Sequence, residues 1–542
     1  MRVGSQRPPS RQQAPLEELR LPSRDPGSQL SKQPAPLEEL QLPSRDLGSQ
    51  LSKQPAPVEE LQLPSMGLRS LLSNFGPGVV LMMTGIGTSH LVTAPTAGGR
   101  FEFALLWCIP VAFLLKYHGF EMAFRFTNAT GKSLMEAYGT SWRKWPIWYV
   151  LVTTLVQCAV GQAGRLIAAS AVLYYLFTET LRIPISLSGY GVVLGSISVT
   201  VILMGRYRAV EVASKVLAAV LVGSTIAVFL TNPPPLTAMG HFFHLEGPAG
   251  SWLLIAALLG LLPTGIDVSL QVSEWGRAKR EGVCRIRGNL EQAGLAGRFD
   301  PFAPRREDLT VRTDRMPHHL REYSRRWFKI GLMDYRLGYL VSFLTATVFL
   351  LLAAVWLYPS PVEGPAVMGE IAGIFTRSLG PGMMILFLMG AFAATFSTAF
   401  NYFDGWPRIV GACCRNLFRG TARLEGTDNA ELTPENRRTW YSEYNIYRAT
   451  MIYSLVAAVA IIAGFPQPVF LVLVASALSL FISPVIYFLN LHYCLTVIPK
   501  GDSPFYPTRS ERWFAWGSLV VFSGLAVVLL VTKIFGVALI GG

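Results

Sequence analysis

Apolar residues along this chain gather into runs of about 20 residues, the length that carries a helix across a bilayer. Eleven such windows stand near 76–97, 102–118, 146–177, 184–204, 209–231, 250–273, 331–358, 380–412, 448–465, 467–495 and 513–540. The two-residue alternation of transmembrane β-strands is absent from them. The pattern predicts an all-α polytopic membrane protein.

The first 65 residues follow a different pattern. "APLEEL" begins at Ala14 and again at Ala35, and "APVEEL" begins at Ala56, a period of 21 residues. The repeated unit is rich in Pro, Ser and Gln and has too few apolar positions to stack into a solenoid core. It also lacks the apolar centre of a signal peptide. Residues 1–65 therefore read as a disordered leader, with Met66 of "MGLRSLLSNFGPG" as the expected true start and 66–542 as the membrane domain.

Composition agrees with the windows. Hydrophobic residues make up 51% of the chain and charged ones 15%, and the mean hydropathy is +0.38, values that exclude an ordinary soluble domain. The net charge of +13 is explained by topology, not by nucleic acid. One set of alternate loops holds Lys116, Arg125, Lys132, Arg143 and Lys144, then Arg206 and Arg208, then fourteen basic residues from Arg277 to Lys329, then Arg415, Arg419, Arg423, Arg437 and Arg438, and finally Lys500, Arg509 and Arg512. The other set holds little beyond Arg100, Arg182 and Arg377. Basic loops stay in the cytoplasm, so the N-terminus is expected inside, in a bacterial cytoplasmic (inner) membrane, with lipid as the surrounding partner. The basic 274–330 stretch reads as a solvated cytoplasmic loop, with Glu274 at a solvated helix end. The six cysteines form no CxxC pair and read as small apolar fillers.

Two windows are interrupted. "TGIGTSHLVTAPTAGG" (84–99) carries Gly85, Gly87 and Pro95 inside the first, and "LLIAALLGLLPTGIDVSLQVSEW" carries Gly260, Pro263 and Gly265 inside the sixth, with Asp267 near its middle. Unwound backbone in a bilayer is tolerated only where it lines a cavity. A pair of Gly/Pro-interrupted spans in corresponding positions of two halves points to an inverted-repeat secondary transporter, in which freed carbonyls and half-helix ends hold the cargo.

The stretch from Gly76 to Trp107, "GPGVVLMMTGIGTSHLVTAPTAGGRFEFALLW", resembles the first span of the natural resistance-associated macrophage protein (Nramp) divalent metal transporters. "RFTNATGKSLMEAY" (125–138) is similar to that family's loop after span two, and "GAFAATFSTAF" (390–400) and "SALSLFISPVIYF" (476–488) resemble spans eight and ten. The resemblance implies a LeuT-type fold: two inverted five-helix repeats, about 76–231 and 250–495, plus an extra helix at about 513–540, with helices one and six broken. It also implies where the family's functional columns fall. The family's Asp-Pro-Gly-Asn motif stands at Gly87, Thr88, Ser89 and His90, and its Met-Pro-His motif near Thr264, Gly265 and Ile266. The acidic columns of span three read Gln162 and Arg165, and the glutamine of span ten reads Ser476.

The usual ligands are thus replaced. His90 is an imidazole able to ligate a metal or carry a proton, and an intramembrane carboxylate such as Asp267 marks a functional site by default. These two are the candidate metal ligands, with Thr88, Ser89 and Thr264 adding neutral oxygens and Asp404 as a possible accessory. The small residue at Gly87 leaves room for a cargo bulkier than a bare ion. The expected function is secondary-active transport of a divalent metal cation by alternating access between helices one and six. No chemistry on bonds and no resident cofactor is expected, so the chain is not read as an enzyme. Transport of a small organic solute or amino acid on the same fold, and a transport-inactive membrane sensor, are the alternatives.

Overall fold

The structure, a computed structural model, describes residue 63 and residues 87–204, 220–279, 282–360, 364, 367–418, 441–502 and 504–535. The repeat-bearing leader, Gly85 and the first half of the first window lie outside the described residues, except for residue 63. In chain order the helices are α1 (Ala94–Phe101), entered through a wide π-type turn at Ser89–Thr93, α2 (Cys108–Thr130), α3 (Leu134–Tyr138), α4 (Trp142–Thr180), α5 (Leu187–Leu203), α6 (Val220–Thr231), α7 (Trp252–Leu261) and α8 (Val268–Lys279). They continue as α9 (Val283–Gln292), α10 (His318–Leu357), α11 (Val367–Leu379), α12 (Met383–Leu417), α13 (Glu443–Gly464), α14 (Pro468–Val497) and α15 (Arg509–Phe535). Among the described residues there is no β-strand beyond a single bridge between Ala296 and Val311.

Six of these helices, α4, α10, α12, α13, α14 and α15, are long and apolar enough to cross a membrane. Helices α5, α6 and α7 are apolar but shorter. The ends are set locally. The Ser186 hydroxyl accepts from Gly189 N at the start of α5 and the Ser442 hydroxyl from Asn445 N at the start of α13, satisfying donors that a helix N-terminus leaves open. Pro468 opens α14, where its missing N–H is not needed.

Burial separates the helices into inner and outer. Only 28% of the apolar window of α15 is covered by the rest of the protein, and Trp513, Phe514, Val520, Val521 and Val527 lie exposed on it. So much exposed apolar surface on one helix is the face a bilayer covers. Inside, α1 packs along α10, α7 along α14, and α12 against α4 and α13. The Ser89–Thr93 turn packs against α7, α10 and α14, which sets the first interrupted segment beside the second. Close approach fixes Gly260: a Cβ there would strike the carbonyl of Ser476 and the backbone of Leu480 on α14.

Three expectations change. Pro95 does not break its helix: the chain is helical through it, and Pro95 lies in the first turn of α1, directly after the wide turn. Lys116 and Arg125 are not loop residues. Both lie within α2 and are buried, because that helix starts at Cys108 and runs well past the predicted end of the second window. The 274–330 segment is not a solvated insertion. It holds α9, the start of α10 and a small core of Val283, Ile286, Leu290, Val311, Leu320 and Tyr323. Arg287 ties it to α2, donating to the carbonyls of Thr130, Leu309, Gly297 and Asp308.

Candidate functional site

The second interruption is a true gap in the helix. Helix α7 ends at Leu261, α8 begins at Val268, and the residues between are not helical. Pro263 offers no N–H, and Gly265 adds no side chain. A helix end leaves carbonyls without partners. Two of them find one in Lys116 of α2, whose Nζ lies 3.0 Å from Gly260 O and 3.0 Å from Thr264 O. Lys116 is fully buried. Ile266 N donates to Ser483 Oγ at 3.3 Å, and the Thr264 hydroxyl meets the Tyr402 hydroxyl at 2.9 Å. The gap is thus held open by three neighbours, α2, α12 and α14.

Asp267 closes the gap. It is 8% exposed, and neither carboxylate oxygen makes a well-formed hydrogen bond, although Arg165, Lys116 and Trp406 stand near enough to act on it. A Cβ on Gly265 would collide with Asp267 Oδ1, so the glycine clears the space this carboxylate fills. The guanidinium of Arg165 is stacked 3.7 Å from the Tyr402 ring centroid and 4.8 Å from that of Trp406. It donates to Gly161 O in its own helix at 2.8 Å. Nearby, Gln157 Nε2 donates to Ser479 Oγ at 2.9 Å while its Oε1 makes no hydrogen bond. One carboxylate therefore sits among two cations and several neutral dipoles, in a setting where a buried charge needs partners.

At the first interruption the described residues begin at Gly87, whose carbonyl accepts from His90 N and Leu91 N. Thr88 Oγ1 is buried and makes no hydrogen bond. The space beside Gly87 is already filled: a Cβ there would collide with Thr398 Oγ1 of α12. The expected room for a bulky cargo at that point is thus taken by a threonine. His90 has no exposure. Its Nδ1 meets Ser89 Oγ at 3.0 Å, and its Nε2 meets Ser342 Oγ at 2.9 Å and Ser342 O at 3.1 Å. Both ring nitrogens are engaged, and the second engagement ties the turn to α10. Among the described residues, no group of three or more His, Cys, Asp or Glu with converging ligand atoms includes His90 or Asp267.

The accessory candidates divide. Gln162 Nε2 donates to Ala399 O at 2.9 Å, across to α12. Ser476 bonds back to Val472 O of its own helix at 2.6 Å; the serines of α14 that reach the gap are Ser479 and Ser483, one and two turns further on. Asp404 accepts from Trp275 Nε1 at 3.0 Å, Arg408 Nε at 2.8 Å and the Tyr447 hydroxyl at 2.6 Å. It is a cross-brace joining α8, α12 and α13. Glu274 is buried, not solvated, and pairs with Arg277 at 3.0 Å and Arg415 at 3.4 Å.

Sequence reading missed Lys116, Gln157, Thr398, Tyr402 and Ser479. Lys116 carried a signal: it is the one charge in the apolar run from Ala104 to Tyr117. The others are ordinary polar residues of spanning helices, and only the packing of α4, α12 and α14 around the gap distinguishes them.

Comparison with known proteins agrees with this architecture. The chain is 22% identical over 470 residues to an uncharacterized protein of Pasteurella multocida, covering 85% of this chain and 91% of that one. It is 25% identical over 190 residues to the divalent metal cation transporter MntH of Mycobacterium tuberculosis, covering 34% of this chain and 43% of that protein. Among solved structures it is similar to the Eremococcus coleocola manganese transporter in complex with an aromatic bis-isothiourea substituted compound, with a TM-score of 0.57 and 14% identity over 88% of this chain and 90% of that one. That likeness is one of fold, and the fold is the LeuT type. The model of the family described as natural resistance-associated macrophage protein-like (Nramp) matches residues 78–532, and this chain belongs to that family of membrane transporters.

Proposed function

We propose that this protein is a secondary-active transporter that moves a divalent metal cation by alternating access, with the cargo held at the gap between α7 and α8. The observation that carries the reading is Asp267, a buried carboxylate with no well-formed hydrogen bond to either oxygen, seated where two helix ends meet. Thr88, which has a buried hydroxyl without a hydrogen bond, and the oxygen-bearing residues Ser89 and Thr264 would complete a mostly hard, oxygen-rich donor set. His90 is assigned a positioning role, holding the first half-helix to α10 through Ser342. The five-helix repeats, about 76–231 and 250–495, would rock around this point with the N-terminus in the cytoplasm. The relatives named as metal transporters support this cargo.

A second reading has its own observation. Lys116 and Arg165 place two cations beside the one carboxylate, an arrangement that favours a zwitterionic or anionic organic solute over a bare cation. Uptake into proteoliposomes separates the two. Manganese uptake that is saturable and lost in Asp267→Asn supports the metal. Absence of manganese uptake and binding, together with uptake of radiolabelled amino acids, overturns it in favour of the solute.

A further inference from the structure

The loop between α6 and α7 reads "HFFHLE" from His241 to Glu246, and none of its chemistry is used by the gap. We propose that His241, His244 and Glu246 form a second, peripheral binding site for a divalent transition-metal ion. One nitrogen of each imidazole and one oxygen of the carboxylate all lie within 4.8 Å of one another. His241 Nδ1 is buried, makes no hydrogen bond and stands 3.4 Å from Glu246 Oε1. Ligands placed about 2.1 Å from a shared ion stand ~3–3.5 Å apart, so this pair is already at ligand spacing. His244 is exposed, and rotation of its side chain closes the set.

The frame around the ligands is fixed. Helix α2 is preceded by Trp107, whose Nε1 donates to Glu246 O at 2.8 Å, so the backbone carrying the carboxylate is pinned. The His241 ring rests 6.0 Å from that of Phe103 and 6.0 Å from that of His244. His241 lies in the last turn of a 3₁₀ helix, Leu236–Phe242, and His244 follows two residues after its end. Two imidazoles are borderline donors and the carboxylate is a hard one. They select manganese, cobalt, nickel or zinc over calcium or magnesium, and leave the remaining positions to water. The charge asymmetry of the loops assigns this segment to the non-cytoplasmic side, where an incoming ion arrives. The site stands apart from the gap, and neither reading depends on the other.

Cobalt(II) tests it, because ligand-field absorption reports a nitrogen-ligated ion without any transport. The full chain, purified without a histidine tag, is titrated with cobalt in detergent. The expected result is a saturable visible band in the unaltered protein and in Asp267→Asn. In His244→Ala and Glu246→Gln the affinity should fall by more than the ~100-fold that bounds the loss of an outer-sphere partner. His244 is exposed, so its variant keeps the fold. Equal cobalt affinity in all four proteins, or no bound cobalt at millimolar concentration, overturns the proposal.

Discussion

The ammonium of Lys116 lies 3.0 Å from the carbonyl oxygen of Thr264. It also reaches Gly260 O at 3.0 Å, so one lysine of α2 caps the C-terminal end of a half-helix on the far side of the gap. A cation there complements the negative end of the helix dipole, and charge-assisted bonds of this kind are the stronger ones. The break in the sixth apolar segment is therefore a supported element, held in shape by a tethered positive charge.

Replacing Lys116 by methionine keeps the length and apolar stem of the side chain and removes the charge. Two buried carbonyls then lose their partner, at about 1–3 kcal/mol each. Thermal unfolding in detergent should show a clearly lower midpoint for Lys116→Met, whatever its transport. A midpoint equal to that of the unaltered protein would mean that the lysine does not support the gap.

Asp267 and Asp404 should respond in opposite ways. Asp267 makes no well-formed hydrogen bond, so Asp267→Asn should cost less stability than the loss of Asp404 while abolishing saturable uptake. Asp404 is bonded to Trp275, Arg408 and Tyr447. Asp404→Ala takes the shared acceptor away from Trp275, Tyr447 and the half-buried Arg408, and a buried donor that loses its acceptor costs about 1–3 kcal/mol. Uptake surviving in Asp267→Asn, with a strong loss of stability, would reverse the two assignments.

How far the sequence reached is clear from these same residues. The break at Pro263 and Gly265 was legible, because a proline and a glycine two residues apart, close to a carboxylate, disfavour a continuous helix and suit backbone that lines a cavity. Asp267 stood out in the same run, because a lone intramembrane carboxylate is costly; its place at the end of the gap is what the structure adds. The first segment misled at Pro95, since a wide turn can absorb a proline without ending the helix. Lys116 was lost because it falls near the end of its hydropathy window, where a lysine reads as a loop charge, whereas α2 runs on to Thr130. The filled space beside Gly87 and the anchoring of His90 could not be read, for a reason no single sequence holds. Their partners, Ser342 and Thr398, lie hundreds of residues away on α10 and α12.

The contact between Gly87 and Thr398 invites a double-mutant cycle. A methyl group at position 87 would run into Thr398 Oγ1, with Thr398 Cβ at 3.0 Å and Cγ2 at 3.3 Å. Overpacking of this sort costs about 1–3 kcal/mol. Gly87→Ala should lower stability by that order, and adding Thr398→Ala, which removes the two outer atoms, should restore most of it. Residues in contact couple in this way, whereas distant ones simply add. Additive effects in the double variant would show that the two helices separate around position 87.

Arg415 of α12 joins the other end of the broken helix to its neighbours. It is 1% exposed and pairs with Glu443 of α13 at 2.7 Å and with Glu274 of α8 at 3.4 Å. Arg277 adds a further contact to Glu274 at 3.0 Å. Rocking of α8 against α12 and α13 would have to part these groups, so the network should act as a latch at the end of the bundle that carries the basic loops. Replacing the arginine by methionine removes its ion pairs to Glu274 and Glu443, and with them this tie between the three helices. Hydrogen exchange across 268–279 and the first turns of α13 should then quicken, while α7 on the other side of the gap keeps its protection. Arg415→Lys, with one charge but no fork to reach both carboxylates, should fall between. Unchanged exchange in Arg415→Met would show that apolar packing alone holds α8 in place.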